Sequence, residues 1–281
     1  MAGKKFILSV GQVTLLAIKG LGGIFLPPFN LKLLLREMDN FGAGSLLLVD
    51  IIALFTGMVM ALQTIYGLSR YGAEMYVGSV VSLSLVRELG PVMSSIMVGA
   101  RVGSGIAAEI GSMQVTEQID AMRALGASPI KKLVTPKILA AMITLPLLTV
   151  TADIIGIFGG MVIALSELEI DRTFYINSVL TTIKVSDLLS GVGKTVFFGL
   201  LIAVIGCYFG LRTTGGTTGV GRSTTITVVT VSILILISDF FLTTSEILSV
   251  PLLCPFDVIQ TSKILSGNFL LFLFMNSKTK L

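Results

Sequence analysis

The sequence predicts an all-α polytopic membrane protein, with five transmembrane helices, an N-terminal interfacial amphipathic helix and a short helix on the cytoplasmic face. Three observations carry this expectation. Only 13% of the residues are charged, against 53% hydrophobic, where ordinary soluble domains are about 25% charged. The mean hydropathy of +0.95 excludes intrinsic disorder and argues against a soluble enzyme. Five stretches also reach the roughly 20 mostly apolar residues that a membrane helix needs.

Those stretches are 45–66, 88–110, 138–165, 192–211 and 223–244. A further apolar stretch, 6–29, is interrupted by Lys19, by the glycines Gly20, Gly22 and Gly23, and by Pro27-Pro28. The stretch after it, 30–40, sets Lys32, Arg36, Glu37 and Asp39 among leucines. We read 6–38 as helical segments lying in the interface. A signal peptide competes for the same residues because Lys4 and Lys5 precede the apolar run, but no clear small-residue cleavage site follows. The chain thus divides into an interfacial region at 1–43, a five-span domain at 44–246 and an atypical tail at 247–281. The apolar run 269–275 in that tail is too short to span a bilayer.

Lysine and arginine set the orientation. With the N-terminus inside, the inner side carries eleven of them, among them Lys131, Lys132, Lys137, Arg212 and Arg222, and the outer side five: Arg70, Arg87, Arg172, Lys184 and Lys194. The net charge of +4 reports this topology, and no nucleic-acid partner is expected. With no histidine in the chain, histidine metal sites, histidine bases and Ser-His-Asp triads are excluded. No catalytic residue, metal site or cofactor is expected. Cys207 and Cys254 form no CxxC pair, and Cys207 reads as a small buried hydrophobe.

The inner loop between the second and third spans holds a short amphipathic segment, 116–125, with Ile119, Met122 and Leu125 on one side and Glu117, Gln118, Asp120 and Arg123 mostly elsewhere. Gly126 is positioned to stop it. The segment either rests on the lipid interface or docks a cytoplasmic partner. In the second span, Gly99, Gly103, Ala107 and Gly111 form a small-residue stripe at four-residue spacing, a pattern that Gly156/Gly160 and Gly206/Gly210 repeat. Tight packing within one chain is the default reading of such stripes, and several of them also suit a homodimer.

Gly191-Val-Gly-Lys194-Thr195 is not a P-loop, because Leu188 stands where a glycine is required and the run opens a span rather than following a strand. The glycine-rich 215–222 loop reads as a tight inner turn, with Ser223 as N-cap of the fifth span. Charges at membrane depth are functional candidates. Glu88 and Lys194 open the second and fourth spans, and Asp239 lies about 25 Å along the fifth. With Arg87 they converge on one outer level, where they form either snorkelling helix ends or a polar site for an amphipathic ligand with a charged head. Asp50 and Glu109 fall at inner ends. Arg101 and Asp153 lie deeper and are candidates to pair.

The runs Arg87-Glu-Leu-Gly-Pro91, Gly99-Ala-Arg101-Val-Gly-Ser104, 108–122 (AEIGSMQVTEQIDAM), Leu145-Pro-Leu-Leu-Thr149 and Gly219-Val-Gly-Arg222-Ser-Thr-Thr225, taken in order, closely resemble the MlaE (YrbE) permease family over about 6–244. These are membrane subunits of lipid-moving ABC transporters that work with MCE-domain proteins. The resemblance implies a homodimer of five-span subunits. It also implies a coupling helix at 116–125, carrying Glu117, Ile119, Asp120, Met122 and Leu125, docked on a separate ATPase. A lipid path at Arg87, Glu88, Lys194 and Asp239 follows as well, as does a bacterial inner membrane or the equivalent plastid envelope membrane. Two features depart from the family: Ile226, where members often carry a basic residue, and the tail. Rival readings are a proton-coupled secondary transporter using Glu88, Asp153 or Asp239, and a non-transporting scaffold. The absence of a visible repeat argues against the former.

Overall fold

A computed structural model describes residues 2–23, 31–168 and 170–253. Every regular element among them is helical: α1 (Ala2–Gly22), α2 (Leu31–Ser69), α3 (Glu74–Val115), α4 (Gln118–Ala124), α5 (Ile130–Leu168), α6 (Arg172–Thr182), α7 (Val185–Leu211) and α8 (Gly216–Leu253). Five of them, α2, α3, α5, α7 and α8, are long and apolar enough to cross a membrane. The chain divides into two compact units, 1–237 and 238–281. In the second, Phe240 and Phe241 meet edge to face with ring centroids 5.6 Å apart. Pro27, Pro28, Cys254 and the apolar run 269–275 lie outside the described residues.

Each spanning helix outruns the apolar stretch that announced it. The amphipathic 31–40 segment is not a separate element but the first three turns of α2. No proline interrupts the chain from Leu31 to Ser69, so nothing stops the helix at the point where its surroundings turn polar. Ser223 likewise does not cap α8, which starts at Gly216. Gly215 and Gly216 reverse the chain at φ +91° and +70°, conformations that favour glycine. Ser223 is left inside the helix, accepting a bond from Thr213 Oγ1 at 2.9 Å.

Close backbone approach holds the first unit together. A Cβ on Gly57 of α2 would overlap the Gly156 carbonyl of α5, and Gly206 of α7 lies against the Gly103 carbonyl and Ile106 of α3. The stripe is used inside the chain: Gly99 faces Val231, Ile202 and Ile235, Gly103 faces Ile202 and Thr227, Gly111 faces Thr213, and Ala107 is fully buried. Small residues let helix axes come this near, and dispersion contacts then supply the association that the hydrophobic effect cannot supply in lipid.

At the inner end three helices are joined by charge. Lys137 of α5, 1% exposed, donates to Glu37 Oε1 of α2 at 2.9 Å and to Glu109 Oε2 of α3 at 2.7 Å. A buried ammonium needs such partners, because its desolvation is otherwise uncompensated. Glu37 thereby explains why the amphipathic start of α2 belongs to the bundle. α1 joins the same end, where Thr135 Oγ1 donates to Gly20 O at 3.1 Å and Arg212 to Gln12 Oε1 at 3.0 Å. At the opposite end, α6 is fixed by a Ser79–Ser178 hydroxyl bond of 2.8 Å and by buried Tyr175, whose phenol is pushed up to about 12 by burial.

Lys137→Met would leave two carboxylates facing each other without their cation. It should cost about 3 kcal/mol, read as a lower melting temperature in detergent, and adding Glu37→Gln with Glu109→Gln should recover most of the loss.

Candidate functional site

α3 is not a regular helix. It widens into π turns at Leu85–Leu89 and at Gly99–Gly103, irregularities that recur at functional sites. The first π turn presents Arg87 and Glu88. Pro91 follows it, and a proline has no N–H to bond the carbonyl four residues back, which here is Arg87 O. That freed carbonyl accepts from Lys194 Nζ at 3.2 Å, and the same ammonium donates to Glu88 Oε1 at 2.9 Å. Lys194, on α7, is 3% exposed, while Glu88 and Arg87 remain partly exposed.

The helix crossing that permits this contact depends on Gly191, where a Cβ would overlap Val86 O. The glycine of the rejected phosphate-loop look-alike therefore has a packing reason: it brings α7 close enough for Lys194, one turn later, to reach α3. The whole 191–195 run is helical. Arg87 Nε in turn lies 3.8 Å from Asp187 Oδ1 in the first turn of α7, and Asp187 Oδ2 accepts the Lys184 backbone N–H at 3.1 Å. Sequence reasoning missed Asp187. Its signal was the capping spacing of Lys184 and Asp187 at a helix start.

Position along the helix also differs from the expectation. α3 begins at Glu74, so Glu88 sits roughly 20 Å along the helix rather than at its outer start, and Lys194 lies more than two turns inside α7. The turns ahead of each of these residues are helical too, so neither residue opens its helix. Asp239 belongs to the second unit, on α8.

Arg101 and Asp153 do not pair. Arg101, on the second π turn, donates to Ser45 Oγ at 2.8 Å. Buried Asp153 packs on Gly90, where a Cβ would overlap its Oδ1. Three turns of α3 separate Gly90 from Arg101. Glu109, at its inner end, holds Lys137.

α4 hangs below α3 and α5 at the inner end. Glu117 turns the chain into it at φ +59°, and Gly126 closes it at φ +75°, with Ala127 N–H bonding back to Met122 O at 3.0 Å. The expected outward face is corrected at one residue. Ile119 is 0% exposed, buried in its own chain, because a helix this short is held only by the residue it anchors. Leu125, 85% exposed, and partly exposed Met122 are the apolar residues left facing outward. Exposed Asp120 pairs with Arg123 at 2.7 Å, and Glu117 is exposed beside it.

Glu88→Leu should lower the melting temperature more than Lys194→Met. The first change strips a carboxylate from a buried ammonium, whereas the second leaves a carboxylate that already reaches water. Thermal unfolding of the two variants side by side checks this, and equal shifts would place the pair in a solvated setting.

The family model of the permease MlaE matches residues 34–245. A probable ABC transporter permease protein of Rickettsia felis is 44% identical over 239 residues, covering 85% of this chain and 92% of the relative. The intermembrane phospholipid transport system permease protein MlaE of Haemophilus influenzae is 34% identical, over 76% of this chain and 82% of its own length. The chloroplastic protein TRIGALACTOSYLDIACYLGLYCEROL 1 of Arabidopsis thaliana is 36% identical, over 83% of this chain and 64% of its own.

Proposed function

Because this chain belongs to the MlaE permease family, we propose that it is the membrane subunit of an ABC transporter that moves phospholipid-like molecules, driven by ATP hydrolysis in a separate cytoplasmic subunit. The observation that carries the reading is the Lys194–Glu88 pair, set on a π turn with the adjacent Arg87 partly exposed. Cations within membrane spans are costly and point to a polar path. Here one cation is neutralised in place, while the Arg87 guanidinium lies near Asp187 at a looser 3.8 Å. A lipid phosphate passing this level meets a guanidinium fork suited to bidentate contact, with Glu88 and Lys194 setting the local charge balance. Asp239, on α8, is a further acid within a spanning helix. The working unit is a homodimer in a bacterial inner membrane or plastid envelope membrane, joined to an MCE-domain lipid-binding protein. Gly99, Gly103, Ala107 and Gly111 serve packing within each copy.

In this reading α4 is the contact with the ATPase. Leu125 and Met122 supply the apolar patch, Glu117 and Asp120 its polar flank, and Ile119 the anchor that keeps the helix on its own chain. The chain itself catalyses no reaction.

Leu125→Asp puts a charge into that patch without touching the bundle. It should release the ATPase on co-purification while the permease stays monodisperse in detergent, and full ATPase stoichiometry would remove α4 from the contact. For the lipid path, Glu88→Lys should abolish most ATP-dependent lipid transfer in proteoliposomes while the ATPase still co-purifies, and Asp239→Ala should weaken it less. Undiminished transfer by Glu88→Lys would overturn the assignment.

A further inference from the structure

Arg101 stands apart from the site above, about 20 Å further along α3 than Glu88 by helical rise. Its guanidinium lies against Gly44, and one N–H reaches Ser45 Oγ at 2.8 Å. Among the described residues no carboxylate comes within ion-pair distance of it. An exposed guanidinium with most of its five donors unspent is a demanding group beside a bilayer.

It opens onto a cavity of about 240 Å³ between α2 and α3, lined among others by Glu37, Asn40, Phe41, Ile106 and Glu109. That is more space than a lone inorganic anion fills. The level of the cavity is readable from α2. Ser45 begins its apolar stretch, and Glu37, Asp39 and Asn40 lie just before it. The cavity therefore sits at the headgroup level of the leaflet on the α4 side, which the lysine and arginine bias makes cytoplasmic.

Its charges are ordered along the membrane normal. Arg101 lies beside Ser45, where the apolar stretch of α2 begins. The carboxylates of Glu109 and Glu37 are towards the water, with Lys137 between them neutralising part of their charge. Glu109 remains 47% exposed. A phospholipid of that leaflet presents its groups in the matching order, with tails in the hydrocarbon, then the phosphodiester, then the terminal head group. We propose that this cavity takes the headgroup of a zwitterionic phospholipid from the cytoplasmic leaflet, its phosphodiester on Arg101 and its ammonium towards Glu109. A lipid with an anionic or neutral terminal group meets the carboxylates without a cation to offer. The assignment rests on the lipid-permease reading and adds to it a second headgroup station at the opposite level.

The test uses the permease–ATPase complex in nanodiscs, with a photoreactive benzoylphenylalanine introduced at exposed Asn40, which lines the cavity. The probes are radiolabelled phosphatidylethanolamine and phosphatidylglycerol. Irradiation should label the chain with the ethanolamine lipid, and Arg101→Gln should reduce labelling roughly tenfold, the loss of about one charge-assisted bond. Arg101→Lys should retain part of it and report that the fold is intact. Phosphatidylglycerol should label weakly, and excess inorganic phosphate should not compete. Equal labelling by both lipids, labelling indifferent to Arg101→Gln, competition by inorganic phosphate, or cross-linking to a second copy instead of lipid would each overturn the proposal. The Glu88→Lys complex separates the two readings. Labelling at Asn40 should persist there while transfer is lost, whereas failure of the Glu88 site alone would leave both labelling and transfer intact.

Discussion

One ammonium group organises the inner half of this protein. Lys137 is enclosed so completely that its charge is tolerable only because Glu37 and Glu109 bond it from two other helices. Removing water from an ion is expensive, and the cost is offset only when geometry and partners are both in place. The three helices are therefore not free to slide or rotate at this level. That constraint reaches outward in two directions. It draws the amphipathic start of α2 into the bundle, and it steadies the ends of α3 and α5 from which α4 is suspended.

The outer site is built by a different device. A regular α-helix uses all its carbonyls, so it offers a cation nothing but side chains. α3 escapes this through the π turn at 85–89 and the missing N–H of Pro91, which together release the Arg87 carbonyl. Lys194 takes that oxygen and Glu88 at once, and the approach of α7 that makes this possible depends on Gly191 having no side chain. The second π turn carries Arg101. Both irregularities thus coincide with the two places where α3 places a guanidinium within a membrane span.

Much of this was legible before any coordinates. The apolar stretches named the five spanning helices because length and hydropathy are local properties that a bilayer reads directly. The small-residue stripe named the close-packed face of α3. Arg87, Glu88 and Lys194 stood out as charges at the starts of two apolar stretches, and the structure joins Lys194 to Glu88. What failed was positional. Helix ends were drawn where hydropathy falls, yet α2, α3 and α8 continue well past those points. Backbone hydrogen bonding continues a helix wherever no proline or reversed glycine stops it, whatever the polarity of its side chains. Ser223 was misread as a cap for the same reason.

By itself, then, the sequence determined the all-helical membrane class, the number of spanning helices, the short helix between the second and third, and the residues able to bear charge at depth. Tertiary structure alone decided the pairings. Lys137 looked like one more basic residue of an inner loop and proved to be the buried centre of a triad. Arg101 and Asp153 looked like partners and lie three turns apart. Ile119 looked like part of a docking face and is an anchor. Helical periodicity states which side of its own helix a residue occupies, but not which neighbour that side meets. The meeting is set by axial register between helices far apart in sequence, and here the carbonyl contacts of Gly57, Gly191 and Gly206 set that register; a small-residue pattern marks a close face without naming its partner.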